Sequence, residues 1–422
     1  MTNTIETFDT IETFDRRWVI FGAVLIQLCL GAIYAWSVFT APLKESGWSV
    51  AQTQYVFTAG LVSFALVMIV AGRIMPRFGP RRLVVAGGVV LGAGYLFAGL
   101  LGGTQFWPVF LGVGVIGGTG IGLAYVVPIA VGMRWFPDKK GFITGLAVAG
   151  FGFGAMLWVK LAGAWGHLIE QMGLDATFMI YGLVFMAAVV VGGIWMIFPP
   201  EDWRPAGYVP PQGSDQEGAD GAFTSGEMLR TSQYYLILLT FAISASAGLM
   251  TIGLMKLFPI QALTGAGMDP AAASAIAGTA MAVCFSLANG VGRIAWGTLS
   301  DRIGRKASII LMMSSQGAVV ILFQWMAGQE HLLYLGATII GFNFGGNFAL
   351  FPTVTADTFG SKYIGQNYGW VFLAYGLGGI IGPVLGGKLG DLNNYPLAFT
   401  ICGALCFVAV GIIGALEKPA KP

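Results

Sequence analysis

Charged residues are scarce in this chain of 422 residues: Asp, Glu, Lys and Arg together make up only 10% of it. Soluble domains carry about 25%. Hydrophobic residues make up 56%, and the mean hydropathy is +0.76. The formal net charge of +2 is too small to favour a nucleic acid as partner. This composition excludes an ordinary soluble protein and predicts an all-α integral membrane protein whose main partner is the lipid bilayer.

Cysteine and histidine are also rare, with four and two copies. All four cysteines lie in apolar segments, and neither histidine is near the closest cysteine pair, Cys402 and Cys406. We therefore expect small buried side chains rather than a metal site or a disulfide framework. No cleavable signal peptide is recognisable, and no catalytic constellation is present. The sequence predicts neither an enzyme nor a cofactor.

What the chain has instead is twelve apolar runs, each long enough to cross a bilayer. A Pro-, Gly- and acid-rich segment, 199–233, has linker composition and divides them into two groups of six. We predict a disordered N-terminus at 1–17, a first half at 18–198, a second half at 234–416 and a tail at 417–422. The predicted spans are 18–43, 51–75, 82–103, 107–135, 141–168, 175–198, 234–262, 270–298, 306–327, 331–357, 363–390 and 395–416.

The basic residues are distributed unequally between the two predicted faces. The face that holds both termini and the linker carries 17 of the 22 Lys and Arg residues. Because cytoplasmic loops are enriched in Lys and Arg, we expect both termini in the cytoplasm, with the chain in the inner (plasma) membrane. The other five are Lys44, Lys160, Lys256, Arg293 and Lys388.

Arg293 is the most informative of these five residues. It lies about 12 Å along a helix from Asp301, the nearest acidic residue in sequence, which we place in a loop. A buried cation in a membrane helix usually lines a pathway, so Arg293 predicts a site for an anion. Asn289 is four residues earlier and shares its helix face. The alternative is a structural tether of Arg293 to backbone carbonyls or to Asn289.

The two halves contain similar loops, 225 residues apart. The first reads GRIMPRFGPRR from Gly72, and the second reads GTLSDRIGRK from Gly297. The second matches fully, and the first matches in part, the pattern G-x-x-x-D-[RK]-x-G-R-[RK]. This pattern resembles the signature of the major facilitator superfamily. The resemblance implies two parallel six-helix halves, a site between them, and gating roles for Gly297, Asp301, Arg302, Gly304, Arg305, Lys306, Gly72, Arg77 and Gly79. Pro76 stands where the first copy would have its Asp.

Shorter stretches narrow the resemblance within that superfamily. The segment WFPDKKGFITGLAVAG, from Trp135, resembles the fifth-helix entry of monocarboxylate transporters. RWFPDK, NFALFP and QNYG are similar to segments of the bacterial oxalate:formate antiporter. The antiporter's substrate-binding Arg corresponds to Arg293, but its second cation, a Lys, corresponds to Tyr375. One central cation suits a monocarboxylate better than a dicarboxylate.

The same resemblance implies an aromatic cage around the substrate. The antiporter's cage falls on Tyr125, Phe151, Phe344, Phe348 and Phe372. The first-helix Lys of animal monocarboxylate transporters is missing, and Leu30, Tyr34 and Trp36 occupy that region. Asn289 replaces the Asp that monocarboxylate transporters carry four residues before the Arg. Because all 20 acidic residues fall in loops or at span ends, a proton would have to travel on the substrate, on water or on another group.

Three functions are compatible with these features. The first is transport of a small monocarboxylate such as lactate or pyruvate together with a proton, by alternating access. The second is anion exchange of the oxalate:formate kind. The third, from a different class, is a substrate-sensing receptor that does not transport; no signalling domain supports it.

Overall fold

The computed structural model describes residues 15–48, 50–163, 165–200, 203–205, 222–255, 257–392 and 394–419. Within these residues, twelve helices are long and apolar enough to cross a membrane. We name them α1 to α12: Arg17–Trp36, Tyr55–Phe78, Pro80–Gly102, Phe106–Trp135, Lys140–Ala162, Leu168–Gly193, Ser232–Leu254, Pro270–Ile303, Arg305–Met326, Glu330–Phe359, Ile364–Gly390 and Tyr395–Gly414.

The helices form two halves with the same internal pairing. In the first half, α1 packs on α5, α2 on α4 and α3 on α6; in the second, α7 packs on α11, α8 on α10 and α9 on α12. The halves meet mainly through α5 with α8 and α2 with α11. The predicted fold of twelve helices in two similar halves is confirmed, and the four inter-half helices surround its centre.

Glycine allows helices of this fold to approach closely. A methyl group at Gly92 would overlap the Gly182 carbonyl between α3 and α6, and one at Gly317 would crowd the Gly403 carbonyl between α9 and α12. Gly92 and Gly317 are 225 residues apart, as the two signature loops are. In a membrane the hydrophobic effect does not drive helices together, and small residues at their contacts allow the close van der Waals packing that does.

Several predicted span ends are wrong. Asp301 was expected in a loop, but α8 continues to Ile303 and Asp301 lies in its last turn. The predicted first span covers an α-helix to Leu30, a 3₁₀ segment Gly31–Trp36 and a further helix Ser37–Glu45. The fifth span ends at Ala162 rather than 168. Hydropathy identifies apolar runs but does not register where backbone hydrogen bonding continues through charged residues.

Two spanning helices contain π-helical segments on the way to the centre, Phe110–Gly117 in α4 and Ala280–Phe285 in α8. Such segments shift the faces that a helix presents and are frequent at functional sites. The segment in α8 ends four residues before Asn289.

The predicted disordered N-terminus, 1–17, lies mostly outside the described residues, although Arg17 already begins α1. Of the predicted linker, residues 199–200, 203–205 and 222–233 are described, and the last of these ranges has helical structure. It contains a short helix, Ser225–Met228, capped by Thr224 and Glu227. Asn367 at the start of α11 donates to the Phe223 carbonyl (2.9 Å) and accepts from the Ser225 hydroxyl (3.0 Å), which fixes this segment on the second half.

Candidate functional site

Arg293 lies fully buried on α8, with 0% of its surface exposed. Its Nε donates to Asn289 Oδ1 (3.1 Å), one turn earlier on the same helix. Its Nη1 donates to the backbone carbonyl of Val148 on α5 (2.9 Å), in the other half. Its Nη2 has no hydrogen-bond partner among the described residues. The guanidinium thus joins the halves and keeps one nitrogen free for a further acceptor.

The glycines of α5 make this contact possible. A methyl group at Gly145 would overlap the Arg293 carbonyl oxygen, and one at Gly152 would lie 3.0 Å from Asn289 Oδ1. Gly145 and Gly152 are seven residues apart and therefore share one face of α5. Because these two positions carry no side chain, α8 can bring Arg293 within hydrogen-bond distance of the α5 backbone.

Aromatic rings enclose the guanidinium. Its Cζ lies 4.1 Å from the ring centre of Phe348 and 5.4 Å from that of Phe151. A cation held over aromatic faces away from water is stabilised by the ring quadrupoles. Phe372 lies behind these rings, 5.2 Å from Tyr375 and 5.5 Å from Tyr125 between ring centres. The two halves contribute rings from α4, α5, α10 and α11.

Four tyrosines lie close enough to Arg293 to interact with it electrostatically: Tyr125, Tyr34, Tyr375 and Tyr368. The Tyr34 and Tyr375 hydroxyls are hydrogen-bonded to each other, which links α1 to α11 across the halves. The Tyr125 and Tyr368 hydroxyls have no hydrogen-bond partner among the described residues. Two hydroxyls are therefore paired in this conformation and two are not.

Two predicted site residues lie further from the guanidinium. Phe344 packs its ring against the backbone of Gly248 on α7 and lies 5.5 Å from the Phe348 ring. It supports Phe348 from behind. Leu30, fully buried, lies in the apolar core about one turn before Tyr34.

The predicted gating residue Asp301 caps the start of α5. Its carboxylate accepts from the backbone N–H of Gly141 (2.9 Å) and of Phe142 (2.8 Å). The first N–H groups of a helix lack intrahelical partners and favour a negative charge. The cap comes from the other half of the protein, so it holds α5 against α8 at the face where both helices meet the basic loops. We call this the basic face.

A charged cluster surrounds the cap. Arg305 donates to Asp301 (2.6 Å), to the Ser300 hydroxyl (2.5 Å) and to Asp357 on α10 (2.8 Å). Lys140 of the first half lies 3.4 Å from Asp357. A methyl group at Gly297 would overlap the Gly141 carbonyl, so the two backbones are in direct contact beside the cap. The basic face is closed between α5 and α8.

The first copy of the signature loop closes the basic face differently. A methyl group at Gly72 on α2 would overlap the Gly365 carbonyl on α11, which mirrors the Gly297–Gly141 contact. Pro76 offers no carboxylate to α11. Instead, Arg73 lies over the Trp370 ring (5.3 Å), and Arg134 donates to the Lys362 carbonyl (2.8 Å).

The remaining predicted gating residues serve the loop itself or face outward. Gly79 and Gly304 have φ angles of +81° and +88°, which strain any residue other than glycine. Lys306 donates to the Leu416 carbonyl at the end of α12 (3.0 Å). Arg77 and Arg302 are exposed.

Two members of the site, the Val148 carbonyl and Tyr368, were not predicted from the sequence. The Val148 carbonyl is a backbone group, so residue type does not reveal it. Tyr368 belongs to the QNYG stretch quoted above, but only its neighbour Tyr375 was named as a site residue. A tyrosine within an apolar span is itself a signal, because a buried hydroxyl needs a partner.

Two similar helical halves that meet around one buried cation, with one face sealed by contacts between them, define a secondary membrane transporter. The chain belongs to the Major Facilitator Superfamily, whose family model matches residues 18–283 and 267–422. The predicted family is confirmed. The family and fold are those of transporters and not of enzymes.

Individual relatives agree with this assignment. The oxalate:formate antiporter of Oxalobacter formigenes is 27% identical over 429 residues, which cover 99% of this chain and 97% of that protein. Monocarboxylate transporter 13 of Bos taurus is 22% identical and covers 94% of this chain and 88% of that one. The fucose transporter FucP of E. coli, solved in an outward conformation, has a TM-score of 0.66 at 18% identity, covering 94% of this chain and 98% of FucP.

Proposed function

We propose that this protein carries small monocarboxylate anions of the lactate or pyruvate type, together with a proton, by alternating access. The single observation that carries the proposal is Arg293: a fully buried cation between the halves with one nitrogen unpartnered among the described residues. A carboxylate is the acceptor that best matches a guanidinium. The names of the two relatives, an oxalate:formate antiporter and a monocarboxylate transporter, support an organic anion.

The surroundings of Arg293 favour a monoanion whose remaining part, beyond the carboxylate, is small. Tyr375 occupies the position of the antiporter's second cation, so a dicarboxylate would leave one charge without a counter-charge. Phe151 and Phe348 give the site apolar walls beside the guanidinium. Ligand sites combine such walls with a few placed polar groups.

The contacts of Arg293 also suggest how substrate could trigger the conformational change. The bond from Nη1 to the Val148 carbonyl ties the two halves together. A bound carboxylate would compete for the guanidinium and neutralise it, which changes the free-energy difference between the states of the carrier. The Asp301 cap on α5 would have to break before the basic face opens.

Among the described residues, every carboxylate lies in a loop or near the end of a span, so none at the centre is available to carry the proton. We propose that proton and anion move as a neutral pair, so that transport is electroneutral. The excess of Lys and Arg on the basic face supports a cytoplasmic location for that face, in the plasma membrane.

Uptake into proteoliposomes tests this function. Labelled lactate and pyruvate should enter vesicles faster when the outside is acidic, without any anion inside and with little effect of an imposed membrane potential. Uptake that ignores the pH gradient, or that follows voltage alone, would contradict proton-coupled symport.

Anion exchange is the second candidate, and one observation favours it. Among the described residues, Arg293 has no carboxylate partner. Moving an empty carrier would then move an uncompensated buried charge, which is costly. If uptake requires an internal anion and shows no response to pH, exchange is the correct function.

A further inference from the structure

Tyr368 is a buried tyrosine whose hydroxyl the fold leaves unused. Its side chain is 0% exposed, and the hydroxyl has no hydrogen-bond partner among the described residues. Its ring packs 5.8 Å from Phe372, on the basic-face side of that residue, because α11 starts at the basic face. It lies within electrostatic reach of both Arg293 and Tyr125.

Several other tyrosines of this chain give their hydroxyls to the protein. Tyr181 donates to the Trp158 carbonyl, and Tyr234 donates to the Trp370 carbonyl at 3.3 Å. Tyr34 and Tyr375 satisfy each other. The two hydroxyls left unpaired near the guanidinium are those of Tyr125 and Tyr368. An unpaired buried hydroxyl is costly, and the nearness of both hydroxyls to one cation points to a ligand that binds there.

Three buried donors near Arg293 have no partner in hydrogen-bond geometry among the described residues: the Tyr125 hydroxyl on α4, Arg293 Nη2 on α8 and the Tyr368 hydroxyl on α11. A carboxylate has two oxygens with about four acceptor positions and no donor. One carboxylate can accept from all three groups, whereas a neutral alcohol or amide would leave some of them unpaired.

Building on the proposed function, we infer that Tyr368 is a substrate-binding residue that donates to the carboxylate from the basic-face side of Arg293. Tyr375, by contrast, is held by Tyr34 in this conformation. Loss of the Tyr368 hydroxyl should then weaken substrate binding more than loss of the Tyr375 hydroxyl. The resemblance to the antiporter does not predict this difference between the two tyrosines, because it assigns a substrate-binding position to residue 375 and not to residue 368.

The test compares Tyr368→Phe with Tyr375→Phe and with Tyr95→Phe, all in the full-length protein. Tyr95 is a matched control because it is also buried, but on α3, packed against Phe185 and Phe178. Each variant is purified and reconstituted, and uptake of labelled lactate and pyruvate gives KM and Vmax. Thermal unfolding in detergent, with and without lactate, pyruvate, formate or oxalate at constant ionic strength, gives a binding readout that does not depend on transport.

We expect Tyr368→Phe to raise KM about tenfold or more, as for one hydrogen bond to a charged group, with a smaller change in Vmax. Its ligand-free melting temperature should stay near that of the wild type, while stabilisation by ligand is lost. Tyr95→Phe should respond to ligand like the wild type. A KM for Tyr368→Phe within twofold of the wild type, or an equal loss in Tyr95→Phe, would overturn the inference.

The melting assay also separates this inference from the proposed function. If the wild type responds to formate or oxalate but not to lactate or pyruvate, the proposed function fails. The Tyr368 inference is then judged on the anion that does bind. If no anion in the panel stabilises the wild type, both fail.

Discussion

The Tyr34 and Tyr375 hydroxyls are hydrogen-bonded to each other across the two halves of the protein, close to Arg293. Asp301 joins the same two halves at the basic face. Arg293, which is completely buried, is thus accompanied by two contacts that each join one half to the other.

Replacing Tyr375 tests charge matching at this position. Tyr375→Lys breaks the bond to Tyr34 and adds a second cation near Arg293. We expect inhibition of lactate uptake by oxalate to strengthen about tenfold, because a dicarboxylate gains a second charge-assisted contact. Tyr375→Met breaks the same bond without adding charge and is the matched control. Equal oxalate inhibition in the two variants would contradict this account.

Arg293→Ala should reduce uptake about 100-fold or more, because the substrate carboxylate loses the buried cation that would bind it. Arg293→Lys should lower uptake nearly as severely. A Lys has a single ammonium group and lacks the planar guanidinium that can bind Asn289, the Val148 carbonyl and a carboxylate at once. The measurement is uptake per folded protein, with exposed Arg230→Ala as control. Near-normal uptake by Arg293→Ala would show that the substrate binds elsewhere.

Asn289→Asp should make transport depend more steeply on pH. The new carboxylate would sit 3.1 Å from Arg293 Nε, where Asn289 Oδ1 now accepts. At high pH the pair is fully charged, so it competes with substrate, and affinity should fall about tenfold. As pH falls and the carboxyl takes up a proton, affinity should return toward the wild type. Asn289→Ala, which removes the acceptor without adding charge, should not show this recovery; KM measured across pH decides.

Asp301→Asn should loosen the start of α5. The neutral amide keeps one acceptor oxygen but loses the charge that favours the helix N-terminus, at a cost of roughly 1 kcal/mol. Hydrogen–deuterium exchange of the amides that Asp301 caps, Gly141 and Phe142, should then become faster. Asp138→Asn is the control, because Asp138 pairs with Arg16 within the first half (3.3 Å). If hydrogen–deuterium exchange of these amides is unchanged in Asp301→Asn, the charge of Asp301 does not stabilise the start of α5.

Gly297→Ala tests the backbone contact beside that cap. The added methyl group would overlap the Gly141 carbonyl, so the basic face should no longer close fully and uptake should fall. Gly253→Ala on α7 is the matched control, because nothing lies within 4 Å of its added methyl group. If both variants transport equally well, close contact between α5 and α8 is not part of the transport cycle.

Sequence patterns predicted the twelve helices, the two halves and the family because each rests on local composition or on a contiguous motif. Arg293 and Asn289 were predictable for the same reason: a charge in an apolar run stands out, and four residues bring two side chains to one face. The Tyr34–Tyr375 bond joins residues 341 positions apart. Only the tertiary arrangement brings them together.

Other features depend on backbone geometry that residue types do not encode. The Val148 carbonyl partners Arg293 whatever the side chain at 148 is. Asp301 was predicted as a gating residue, but its acceptor role at the start of α5 depends on helix α8 continuing past the charged residues, where a loop was expected. Tyr368 differs from a packing tyrosine only in that the folded protein provides no partner for its hydroxyl among the described residues.

Because the two signature loops differ, different interactions close the two sides of the basic face. Between α5 and α8 the closure depends on a carboxylate and on ion pairs, whereas between α2 and α11 it depends on backbone contact at Gly72 and a ring contact at Arg73. Dissolved salt weakens the attraction between exposed charges, with a screening length of about 10 Å at 0.1 M, but it leaves steric contacts unchanged. We therefore expect added salt to weaken the closure between α5 and α8 more than the closure between α2 and α11.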